Sequence, residues 1–210
     1  MSVSAWKLLS VALDYPDGDV LALRSELLAA ARALPPGLVR DELVAFCEAF
    51  AAADGLVLQR RYVETFDFSK RTALNLSFFA HGDRRQRGVA LLQLKRLLGA
   101  LGLEPSGEEL PDHLPLLLEV ADVAGDEPGR DLLGLHRPAI ELIGASLRDE
   151  GSPYAQLFAA LGELLGPPDD EQAAEAVRLA AEGPPAEKVG LEPFAPPTVM
   201  PEPTTCGVPT

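Results

Sequence analysis

Asp112 and His113 stand side by side in the stretch ELPDHLP, and Glu119 follows six residues after the histidine. A carboxylate, an imidazole and a second acid are the groups that general acid–base catalysis employs. Chain neighbours point in different directions, however, and Asp112 equally suits the N-cap of a helix with Pro115 in its first turn. The three histidines, His81, His113 and His136, show no ligand spacing with one another or with Cys47 or Cys206, so no metal site is expected. Cys47 falls on an apolar helical face and reads as a small core residue. Cys206, in TTCGVPT, has no neighbour that would activate a thiol. Neither a Gly-x-Gly-x-x-Gly turn nor a Gly-x-x-x-x-Gly-Lys phosphate loop is present. No cofactor is therefore expected, and a small enzyme centred on Asp112 and His113 stands only as an alternative reading.

A different concentration of chemistry lies in YVETFDFSKRTALNLSFFAHGDRRQRG, residues 62 to 88, which hold four of the eight phenylalanines and five of the eighteen basic residues. Leu58, Tyr62, Val63 and Phe66 recur at helical spacing, so their stripe must be buried or occupied by a partner. Followed by the loop DFSKRTALN, the stripe suits the wall and mouth of a groove for an amphipathic segment. The alternative is that these residues are ordinary core.

Charge narrows the classes of partner. The chain carries a formal net charge of −14, yet residues 60 to 96 contain nine basic and three acidic side chains. The overall field repels nucleic acid and anionic membranes, and a pI of about 4.6 lacks the footprint of a nucleic-acid module. The longest run without a charged residue, Gly151 to Gly162, is too short to span a bilayer. The N-terminus has neither a basic start nor a small-residue cleavage site, so a cytoplasmic protein without direct membrane insertion is expected. Two distant cysteines argue against a disulfide framework.

The elements that must position these residues read as helices almost throughout, and no segment alternates with period two. Ser4 caps a first helix that ends before DYPDGD; a second is expected over about Asp19 to Leu34, with Val20, Leu23, Leu27, Leu28 and Ala31 on one face. PPG at Pro35 to Gly37 breaks it. Further helices begin near Leu38, after the Asp54–Gly55 junction, and after HGD, where Asp83 is the expected cap. Leu91, Leu94, Leu98 and Leu101 form the seam of that last helix. Pro138 either kinks the helical segment Glu127 to Asp149 or starts a new helix. Tyr154 to Leu165 and Asp169 to Ala181 complete the set. From Gly183 eight of twenty-eight residues are proline, which excludes a long helix. The expectation is an all-α, bundle-like domain over residues 1–182 with an extended or disordered proline-rich tail over 183–210.

The stretch YVETFDFSKRTALNLSFFAHGDRRQRGVALLQLK, together with ELPDHLPLLLEV, resembles the nitrate reductase molybdenum-cofactor assembly chaperones of the NarJ type. The likeness covers about residues 5 to 165. Tyr62, Phe66, Asp67, Phe68, Arg71 and Asn75 match the first motif, and Asp112, His113 and Leu114 the second. The resemblance implies a non-catalytic, all-helical cytoplasmic chaperone. Its expected partner is the N-terminal segment of the apo catalytic α subunit of nitrate reductase, which it keeps competent for cofactor insertion. With Leu58, the motif residues form the expected client-binding set, on a chain expected to be monomeric. A helical scaffold or adaptor without a client-peptide role is the other alternative.

Overall fold

The computed structural model describes residues 3–82, 85–100, 102 and 110–185. Among the described residues it is all helical, with twelve helices and no strand. Local capping chemistry sets many of the boundaries. Ser4 Oγ accepts the Lys7 amide at the start of α1 (Ala5–Ala12), as the sequence leads one to expect. Asp17 caps α2 (Gly18–Ala22), and Asp54 caps α5 (Gly55–Phe66) through the amides of Leu56 and Val57. Asp169 and Gln172 form a reciprocal capping box at α12 (Asp170–Glu182).

The single helix expected over Asp19 to Leu34 is two, α2 and α3 (Arg24–Ala33). The Leu23 amide bonds back to Val20 O at 3.1 Å, a tight turn that rotates Leu23 outward instead of onto the apolar face. Pro138 starts a helix: α9 (Asp126–Gly134) ends before it, and Pro138 lies in the first turn of α10 (Arg137–Asp149). Asp83, the expected cap of α7 (Arg85–Ala100), lies outside the described residues, as do Leu101 and residues 186–210 of the expected tail.

The core is one continuous cluster. α4 (Leu38–Ala52) packs against α3 and against α11 (Ala155–Leu165). α1 lies on α8 (Leu114–Ala124), α8 on α9, and α10 between α11 and α12. Trp6, Leu9, Leu43, Leu117, Ile143, Leu157 and Leu161 are buried within it. Where α9 crosses α8, a Cβ on Gly129 would lie 2.7 Å from the Ala121 Cβ, so only glycine permits that approach. Cys47 is buried on α4, and loss of hydration pushes its thiol up to about 11, so at neutral pH it is an inert core group.

Candidate functional site

α5 delivers the first motif. Its Leu58, Tyr62 and Phe66 fall at i, i+4 and i+8, and all three are buried. Tyr62 donates its hydroxyl to Leu13 O at 3.1 Å, at the end of α1. Its ring meets Tyr15 edge-on at 5.4 Å and lies 4.9 Å from Phe66, which in turn contacts Tyr154 at 4.8 Å. The stripe, read as either the wall of a groove or ordinary core, is an inward aromatic cluster that ties α5 to α1 and α11. The reason is supply: Tyr15 and Tyr154, from distant parts of the chain, cover the stripe, and Phe46 of the preceding helix packs on Tyr154.

Beyond Phe66 the chain reverses its character. Asp67 closes α5 through a bond from its amide to Val63 O, and Phe68 stands 82 % exposed. The Arg71 guanidinium is exposed and donates to Ala180 O at 3.3 Å, near the C-terminus of α12, where a cation is favoured. Thr72 is fully buried and donates its hydroxyl to Thr65 O. Gly82, with φ 59°, ends the short helix α6 (Ser77–His81), and a Cβ there would lie 1.7 Å from Pro185 O. The segment following α12 therefore rests against the far end of the same motif.

The two sequence motifs meet. Asn75 and His113 form an isolated antiparallel bridge, with Leu76 N bonding to Asp112 O at 3.0 Å and Leu114 N to Leu74 O at 2.9 Å. Asp112 was expected to cap α8, but the cap position is His113, and the Asp112 carboxylate points elsewhere. Its Oδ1 accepts from Asn75 Nδ2 at 3.1 Å. Its Oδ2 accepts from the Ser77 amide at 3.2 Å, the Ser77 hydroxyl and Arg87 Nη2 at 3.3 Å. With 0 % exposure this charge is tenable only because four donors, one of them a guanidinium, surround it. Arg87 also lies 5.9 Å from the centroid of the Phe78 ring. Ser77 and Arg87 are the members of this hub that sequence reasoning missed; no local pattern marks a contact made across 35 residues.

This arrangement decides what the site can do. A general base must reach a substrate proton, and Asp112 is enclosed and saturated with donors. The enzyme reading centred on Asp112 and His113 loses its carboxylate. His136 lies near Asp112 and His81, and burial lowers its pKa against the opposing pull of Asp112. Leu114 is buried at the start of α8, whereas Asn75 and His113 are partly exposed at the bridge. Of the expected client-binding residues, Asp67, Phe68 and Arg71 are the exposed ones. Leu58, Tyr62, Phe66, Asp112 and Leu114 are core. No cluster of three or more potential metal ligands occurs among the described residues, and no described helix is long and apolar enough to cross a membrane.

The described residues thus form an all-helical domain whose two motifs meet at a buried ion pair beside a loop that presents Phe68 to solvent. Residues 32–160 match the family described as nitrate reductase delta subunit, and the chain belongs to that family. It is 34 % identical over 153 residues to the probable nitrate reductase molybdenum cofactor assembly chaperone NarJ of Bacillus subtilis, covering 73 % of this chain and 83 % of the relative. Against the Escherichia coli K12 assembly chaperone NarJ the identity is 34 % over 170 residues, covering 79 % of this chain and 71 % of the relative. The nitrate reductase-like protein NarX of Mycobacterium tuberculosis is also 34 % identical, over 77 % of this chain but only 24 % of its own length.

Proposed function

We propose that this chain is a cytoplasmic, monomeric assembly chaperone for a nitrate reductase. It binds the apo catalytic α subunit by that subunit's N-terminal segment and holds it open to molybdenum-cofactor insertion. Family membership and the functions named for the relatives support the reading. The observation that carries it is Phe68, a large apolar ring standing in solvent between Asp67 and Arg71, on a motif loop pinned by buried Thr72. Isolated exposed leucines are common on soluble proteins, but a solvated phenylalanine on a rigidly held loop is a preformed anchor for a partner's apolar side chain. Asp67 and Arg71 set the orientation of the bound segment. The buried motif residues hold the loop in shape, and Asn75 and His113 form its base.

Calorimetric titration with a synthetic peptide of the α-subunit N-terminal segment tests this. Burying one aromatic ring contributes roughly 1.5–3 kcal/mol, so Phe68→Ala should weaken binding at least about tenfold while leaving the fold intact. Arg71→Gln should have a smaller, salt-sensitive effect. If the parent binds and Phe68→Ala binds equally well, the anchor lies elsewhere. If the parent binds neither the peptide nor the apo subunit, the chaperone reading fails.

A further inference from the structure

The outer face of α7 is not used by the loop just described. At 100° per residue, Leu94, Leu98 and Arg87 point one way, toward the core and Asp112. Val89 and Leu92 point the other way and are 55 % and 50 % exposed, while Leu97, 42 % exposed, lies on a flank between the two faces. Arg85 and Arg96 share that outward face, and Lys95 flanks it. α7 carries four cations and no acid, and Arg85, Lys95 and Arg96 make no salt bridge among the described residues. Of the described helices, α7 packs chiefly against the short α6.

We propose that this face is a docking surface for an acidic amphipathic helix of a partner protein. Val89 and Leu92, set between Arg85 and Arg96 along one line of the helix, match a partner helix whose leucines are flanked by glutamates and which packs alongside α7. Charge complementarity selects that occupant. A second copy would bring its own basic α7 against the first, opposing like charges. The sixteen residues of α7 span about 24 Å, so three to four turns of partner helix cover it.

The test is fluorescence anisotropy with the full-length chain and two synthetic amphipathic peptides, one with glutamates flanking its leucine stripe and one with lysines there instead. The glutamate peptide should bind at least about tenfold more tightly, with affinity falling as salt rises. Leu92→Glu and Arg96→Glu, both at exposed positions, should each remove about tenfold of that affinity, with unchanged helicity. Phe68→Ala should leave it unchanged, which separates this surface from the client loop. Equal binding of both peptides, or binding indifferent to both variants, would overturn the proposal. So would a dimer that Leu92→Glu dissociates, since a second copy is then the occupant. An intramolecular Lys95–Lys188 cross-link that Leu92→Glu abolishes would also overturn it, in favour of the chain's own C-terminal segment.

Discussion

α5 and α7 come from adjoining stretches of sequence, and both combine arginines with an apolar stripe, yet the fold treats them differently. In α5 the stripe Leu58, Tyr62 and Phe66 is closed over by Tyr15, Phe46 and Tyr154. In α7 the leucines spread around the helix: Leu94 and Leu98 are consumed by the core, and Leu92 and Leu97 face solvent. A helical stripe announces that something must cover it, but not whether the cover comes from the same chain. In α5 the cover is a set of rings from the preceding helix, α4, and from two turns distant in sequence. In α7 the core takes one side and leaves the other.

The largest expected effect is at the closed helix. Phe66→Ala should destabilise by about 3–5 kcal/mol, because it opens a cavity among rings already in contact. Urea unfolding followed by circular dichroism reads this directly. A loss under about 1 kcal/mol would mean that the aromatic cluster is loosely packed and that α5 resembles α7 after all.

Next comes the hub on the inner side of α7. Arg87→Met strands a carboxylate with 0 % exposure and should cost on the order of 2–3 kcal/mol, discounted from a fully buried pair because Arg87 is itself partly solvated. Asp112→Ala should cost more than the roughly 1 kcal/mol of a lost helix cap, since Asn75, Ser77 and Arg87 all lose their acceptor. The Arg87→Met, Asp112→Ala double variant should be less destabilised than the two losses added together. Strict additivity would show that the pair does not act as a unit.

What could be read beforehand divides along the same line. The Ser4 cap, the Asp54–Gly55 junction, the helix expected from Asp169 and the core position of Cys47 are set by residues within a turn or two, so spacing exposes them. At Pro138 spacing alone leaves a kink and a new helix both open. The inward turn of Tyr62 depends on Leu13, 49 residues away, and the use of Asp112 on Ser77 and Arg87. The motif match assigned these residues to one group without separating those that touch a client from those that support the loop. Burial divides the group only into exposed and enclosed members: Phe68 is exposed and Phe66 is not. Asp112 read as a helix cap because a cap needs only the next turn, whereas its actual partners need the fold.

A smaller effect is expected near the same hub as pH falls. His136 Nε2 is buried without a hydrogen-bond partner among the described residues; burial, aided by His81, depresses its pKa below the ordinary 6.5 despite the attraction of Asp112. The unfolded chain then binds the proton more readily than the folded one. The neutral histidine's contribution is fully present above about pH 6.5 and is lost progressively as pH drops below it. The urea midpoint should therefore fall between about pH 7.5 and pH 5.5, and His136→Gln should flatten part of that slope. An unchanged slope in the variant would assign the acid sensitivity to other groups.

The smallest change should occur on the open side of α7. Leu98 has 0 % exposure, so Leu98→Ala should cost about 2–5 kcal/mol. Leu92, six residues earlier on the same helix, is half exposed, and alanine is at least as good a helix former. Leu92→Ala should accordingly shift stability by no more than about 0.5 kcal/mol. Both variants change the same side chain in the same way, so helix propensity cancels and the difference reports only what covers each leucine. A near-zero value for Leu92→Ala leaves this face free for a partner. A loss as large as that of Leu98→Ala would show that some part of the chain already covers Leu92, and the contrast between a closed α5 and an open α7 would not survive it.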